Sequence, residues 1–201
     1  VPAAILNGLA DRNNLGLHSG IIDDGAVQLI KSGNMNGRCK AVDKDTHITG
    51  MVLGNAETLN WLQTDTSVQF RADNYTHEIS IIKQLDNFVS INSAVEIDLH
   101  GQINAEVVNG LQISGTGGSV DFMRAAKASK GGRSIVALSS TARRGTISRI
   151  TKQVEMVTAL RTDVDLVVTE YGVADLKSAS LAERAEALIQ IAHPDFRDEL
   201  G

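Results

Sequence analysis

Short strand-like runs, the β-rich Thr46–Leu53 and the apolar Ser134–Leu138 and Val164–Val168, recur between stretches whose apolar residues fall at helical spacing. Apolar runs of four to eight residues suit strands buried on both faces, and such strands are joined by helices that cover them. The alternation predicts an α/β chain with an open sheet and flanking helices, and 201 residues can bury a core without metal or disulfide staples.

Local signals sharpen this outline. Leu15–His18 reads as a short strand, and Asp23-Asp24-Gly25 as a turn into a helix that ends at Gly33. Glu78–Leu85 carries isoleucines at helical spacing. Near the C-terminus, Ser180 with Glu183 three residues on forms a capping box ahead of the stripe Leu181, Ala185, Leu188, Ile189 and Ala192, and His193-Pro194 stops that helix. Between Phe88 and Leu99 the text is strongly β. Val95, Ile97 and Leu99 alternate with Glu96, Asp98 and His100, so the three polar side chains are expected on one face, either solvated or functional.

The formal charge of −5 is mild and unclustered, which argues against a nucleic-acid partner and for a small molecule. Cys39 is the one cysteine and reads as a small buried apolar residue. With no disulfide possible and no signal-like or membrane-spanning apolar stretch, a cytoplasmic location and no membrane partner are expected. No metal site is expected either.

One turn stands out, Ser114-Gly115-Thr116-Gly117-Gly118, after a strand-like stretch and directly before the helix-like Ser119–Ala128. Glycines admit a close ligand, and the helix start aims N–H groups and positive dipole at the same point, which suits phosphate, thioester oxygen or carboxylate. An ordinary loop is the other reading. Arg143 and Arg144 suit phosphate or solvent, and Glu170-Tyr171-Gly172 ends a buried strand as either a ligand contact or a core lid.

Together, Ile91–Leu99, Gly101–Glu106, Gly115-Thr116-Gly117-Gly118 with Val120-Asp121-Phe122, Gly132–Ile135, Ser139–Ala142, Val168–Leu176 and Ile191–Arg197 resemble the acetyl-CoA hydrolase/transferase family, in its order. The resemblance spans nearly the whole chain. It implies a NagB/RpiA/CoA-transferase-like fold and assigns residues 1–201 to a C-terminal domain, with Val1-Pro2 as the tail of a first glycine-rich loop and the N-terminal domain upstream. It also implies coenzyme A as substrate, a short-chain acyl-CoA and a carboxylic acid as partners, and a homo-oligomer. In such a family a glutamate attacks the thioester, passes through an anhydride and holds CoA as a glutamyl thioester, while two glycine-rich loops stabilise the oxyanions. Preorganised backbone donors of that kind are worth ~3–4 kcal/mol each. Gly115, Gly117 and Gly118 would form the second loop. Asn92 and Val95 would line the acyl or pantetheine path through backbone groups.

The sequence departs from the family at the nucleophile. The family's His-Thr/Ser-Glu, followed by Asp-Gly, is here His18-Ser19-Gly20 followed by Asp24-Gly25, so Gly20 holds the glutamate's place and cannot form an anhydride. Three readings follow. A transferase would draw its nucleophile from Asp23 or Glu96. A hydrolase would let water fill the space, activated by His18 or a neighbouring acid. A non-catalytic CoA-binding paralogue would keep the pocket without turnover. His18 is structural in the plainer alternative.

Overall fold

In the computed structural model, residues 2–201 are described, and Val1, the start of the expected loop tail, lies outside them. The chain divides into two compact units, Val1–Phe88 with Ala128–Gly132, and Val89–Lys127 with Arg133–Gly201.

The first unit begins with helix α1 (Pro2–Asn7) and is built on a parallel sheet of β1 (His18–Asp23), β2 (His47–Leu53) and β3 (Val68–Phe70), in that order. Asp23 ends β1 in extended backbone, and its Oδ1 accepts from Ala26 N at 2.9 Å, which starts α2 (Asp24–Lys31). Asp24 reaches across to the start of α3 (Ala56–Leu62), accepting from Asn55 N at 3.0 Å and Thr58 Oγ1 at 2.6 Å. Gly54 is forced by that approach. A Cβ there would stand 2.6 Å from Thr58 Cγ2 and 2.7 Å from Asp24 Oδ1. Ile22, Ala26, Val27 and Val68 form this unit's apolar cluster, with Trp61 and Leu62 packed against it. Two short helices, α4 (Asp73–Thr76) and α5 (Ile79–Ile82), complete the unit, and α4 packs on β1 and β2.

The second unit holds β4 (Val89–Asn92), β5 (Glu96–Asp98), β6 (Ile103–Asn104), the hairpin β7 (Val107–Val108) and β8 (Leu111–Gln112), then α6 (Ser119–Ala128) and β9 (Arg133–Ala137). The hairpin β10 (Thr141–Ala142) and β11 (Ile147–Ser148) and the strand β12 (Ile150–Thr151) lead to β13 (Leu166–Thr169), β14 (Gly172–Asp175), α7 (Leu181–Gln190) and α8 (Pro194–Leu200). Its main sheet runs β14-β13-β9-β4, with β4, β9 and β13 parallel and β14 antiparallel, and a smaller sheet runs β12-β5-β6. Ile97, Met123, Val136, Val167, Leu176 and Leu188 are among the side chains that fill its core. Among the described residues, no helix is long and apolar enough to cross a membrane.

The α/β class holds, with the strands divided among several small sheets. The helix after Asp23 and the Ser180–Glu183 capping box form as the sequence indicates. Other readings are corrected. The strand expected at Leu15–His18 begins only at His18, because Leu15 spends its backbone groups on Asn34, Asn36 and Gly37. The β text from Phe88 to Leu99 is two strands in two sheets, broken at 93–95. Asp98 is consequently on no polar face: it is fully buried and accepts from His100 N, Gln102 N and Gln102 Nε2, closing the turn into β6. Cys39 is exposed, and Leu181, at the first turn of α7, lies outside the buried stripe centred on Leu188.

Ser180→Ala removes the α7 cap and is expected to cost about 1 kcal/mol, whereas Leu188→Ala opens a void in the second unit's core and is expected to cost about 2–5 kcal/mol. Urea unfolding monitored by circular dichroism checks the order of the two.

Candidate functional site

In the second unit three parallel strands deliver polar residues to one end of the sheet. Asn92 ends β4, Ser140 follows β9 and Glu170 follows β13. Ligands of open α/β sheets bind outside the carboxyl ends of such strands. Ser140 donates from its N to Glu170 Oε2 at 2.8 Å and from its Oγ to Glu170 Oε1 at 2.7 Å. Partial burial pushes the Glu170 carboxyl up, but the two Ser140 hydrogen bonds and nearby His193 outweigh it and hold it below the usual range. The Ser140 partner is the feature that sequence reasoning missed; its signal was that Glu170 directly follows β13 and Ser140 comes shortly after the end of the adjacent β9. Tyr171, next to Glu170, meets the His193 ring edge-on at 5.3 Å and the Arg197 guanidinium at 5.8 Å.

The glycine-rich turn lies between β8 and α6. Residues 111–117 are exposed, and Gly117 has φ +54°, the left-handed region that favours glycine. A Cβ at Gly115 or Gly117 would meet nothing within 4 Å. The amides of 115–118 donate to no protein acceptor among the described residues.

Other expected residues are already engaged. Glu96 Oε1 accepts from Asn104 Nδ2 at 3.0 Å and Glu155 N at 2.8 Å. Val95 donates its N–H to Asn104 O and accepts on its carbonyl from Arg149 Nε, so both its backbone groups are used within the unit. Asn92 Nδ2 donates to Ser90 Oγ at 2.8 Å. Arg143 and Arg144 are exposed at a hairpin tip, both at positive φ.

In the first unit, Gly20 lies mid-strand in β1. Its neighbours Ser19 and Ile21 pair with Thr49 and Met51, which sets Gly20 beside Gly50. His18 is buried, its ring stacks on Tyr75 at 6.2 Å between centroids, and its Nε2 bonds the Thr76 carbonyl at 3.1 Å. Burial, then the Lys40 charge, lowers the His18 pKa. Lys40 is itself buried, its pKa pushed down to about 8, and its Nζ donates to Leu17 O and Thr46 O. His47, also buried, is pushed down to about 4 by burial and then by Lys40. Asp23 is the cap of α2 described above.

A profile of the acetyl-CoA hydrolase/transferase C-terminal domain matches residues 54–201. The chain belongs to the acetyl-CoA hydrolase/transferase family. It is 43% identical over 203 residues to a 4-hydroxybutyrate coenzyme A transferase of Clostridium kluyveri, covering 100% of this chain and 47% of that protein. Among solved structures, it is similar to a 4-hydroxybutyrate CoA-transferase from Porphyromonas gingivalis (TM-score 0.88, 40% identity, 99% of this chain and 47% of that one). It is also similar to RipA from Yersinia pestis (TM-score 0.92, 40% identity, 99% and 44%). The chain therefore spans about half the length of the curated relatives it matches. Coenzyme A thioesters are the family's substrates.

The two buried imidazoles set a pH response. His47, with a folded pKa of about 4 against about 6.5 unfolded, favours folding above pH 6.5, and that contribution is lost as pH falls towards 4, because the unfolded chain binds the proton first. His18 shifts in the same direction. Stability is expected to fall between pH 6.5 and 4, and His47→Gln to flatten that slope, as read by urea midpoints across the window.

Proposed function

We propose that this chain is the C-terminal part of an acyl-CoA thioester hydrolase acting on a short-chain acyl-CoA. Gly20 carries the reading. It stands where the family sequence pattern has its nucleophilic glutamate, in the context His18-Ser19-Gly20 with Asp24-Gly25 following, and it has no side chain with which to form an anhydride. Neither Asp23 nor Glu96 is a ready substitute, since one carboxylate caps a helix and the other holds Asn104 and Glu155. Hydrolysis needs only a positioned base, water and donors for the oxyanion.

The donors in this reading are the amides of Gly115, Gly117 and Gly118. The exposure of Gly115 and Gly117 and the unneeded glycine at 115, where a Cβ has room, support a turn kept open for a ligand's close approach. Asn92, Ser140 and Glu170 then lie at the sheet end where α/β ligands bind. The protein is read as a cytoplasmic homo-oligomer.

The same glycine favours the second reading, a CoA-binding paralogue without turnover, and one assay separates them. The intact protein is incubated with a short-chain acyl-CoA with and without a carboxylate acceptor. The expected result is loss of thioester absorbance at the same rate in both, no new acyl-CoA, and no enzyme-CoA thioester trapped by borohydride. Unchanged thioester with calorimetric CoA binding would select the paralogue; a trapped thioester would restore covalent transfer. Gly20 sits in extended backbone that any residue adopts, so Gly20→Glu is expected to gain acceptor-dependent CoA transfer in the same assay.

A further inference from the structure

In the second unit Arg149, half-buried just before β12, ties together three segments that the sequence keeps apart. Its main-chain N–H donates to Ser140 O at 2.8 Å, and its carbonyl accepts from Ile97 N of β5 at 2.9 Å. Its side chain reaches the stretch where the chain leaves the main sheet for the smaller one: Nε donates to Val95 O at 2.6 Å and Nη2 donates to Ala94 O. These carbonyls lie just beyond Asn92, the end of β4, while Ser140 holds both carboxylate oxygens of Glu170. Burial lowers the Arg149 pKa and the Glu170 charge opposes that fall, so the guanidinium lies within the field of that carboxylate. A chain that changes sheets gives up the ladder bonds a continuous strand would make, and its backbone groups need other partners. A planar guanidinium supplies two donors at a fixed spacing from one side chain, which the single ammonium of a lysine does not.

We infer that Arg149 is a positioning residue for thioester hydrolysis: its side chain clamps the Ala94 and Val95 carbonyls and its main chain holds Ser140, so Asn92 and the Ser140–Glu170 pair keep one fixed spacing at the sheet end. The inference rests on the hydrolase reading above, which sets the ligand at that end of the sheet. Arg149 is given no contact with the thioester. It acts through the backbone it holds, on one side the exit from β4 and on the other the serine that orients the Glu170 carboxylate. Without the fork, the two carbonyls at the sheet change lose their side-chain donor and the exit from β4 is free to shift. A displacement of about 1 Å at a reacting centre costs about 100-fold in rate, and it does so without removing binding contacts, so the loss falls on kcat rather than on KM.

The test uses the intact protein, with wild type, Arg149→Ala and Arg149→Lys compared in acyl-CoA hydrolysis at a temperature where circular dichroism and thermal melts show each to be folded. Arg149→Ala is expected to lose about 100-fold in kcat and Arg149→Lys about 10-fold or more, each with KM within about 2-fold. Millimolar guanidinium is expected to restore part of the Arg149→Ala kcat, and urea at the same concentration, a neutral molecule of similar shape, to restore none. If Arg149→Ala does not fold, the kcat of Arg149→Lys decides. Wild-type kcat in either folded variant, a loss carried by KM alone, or a folded Arg149→Ala that guanidinium does not restore overturns the positioning role and leaves the hydrolase reading in place. Wild type that hydrolyses nothing overturns the hydrolase reading itself, and this inference with it.

Discussion

Parallel pairing of β1 with β2 fixes which groups of the first unit stand side by side. The register brings Gly20 against Gly50, so neither strand projects a side chain at that point. Polar atoms come in from outside the sheet: Asp73 and Thr76 of α4, with His77 just after it. Their placement depends on α4 packing on β1 and β2, and His18 contributes by bonding the Thr76 carbonyl from within β1. That arrangement commits three buried groups, His18, Lys40 and His47, to an interior that disfavours their charge.

The second unit applies the same geometric rule differently. Parallel β4, β9 and β13 end together, and the residues just beyond them form a polar rim in which two hydrogen bonds from one serine help hold the Glu170 carboxyl below its usual range. A carboxylate held this firmly is oriented before any ligand arrives, and the adjoining Tyr171 meets His193 edge-on and carries the Arg197 guanidinium over its ring. The glycine-rich turn follows the opposite principle: among the described residues its amides meet no acceptor, and a Cβ at Gly115 or Gly117 would strike nothing within 4 Å.

Features fixed by neighbours in sequence were legible from the sequence. The cap at Asp23, the stop at Gly33, the Ser180–Glu183 box and the short buried strands all depend on local backbone satisfaction and apolar runs. Features fixed by distant partners were not. The alternation of Val95, Ile97 and Leu99 with Glu96, Asp98 and His100 was real, but the chain changes sheets at 93–95, so Asp98 became a buried turn clamp. The grouping of Asp73 and Thr76 beside Gly50 could not be read either, since it requires the register of β1 on β2 and the seating of α4.

A single turnover of the intact protein with acyl-CoA in oxygen-18 water, followed by mass analysis of both product and protein, tests direct attack by water. The account predicts the heavy oxygen in the released carboxylic acid on the first turnover and in no side chain of the protein. Heavy oxygen in a glutamate or aspartate, with the first acid released unlabelled, would contradict it.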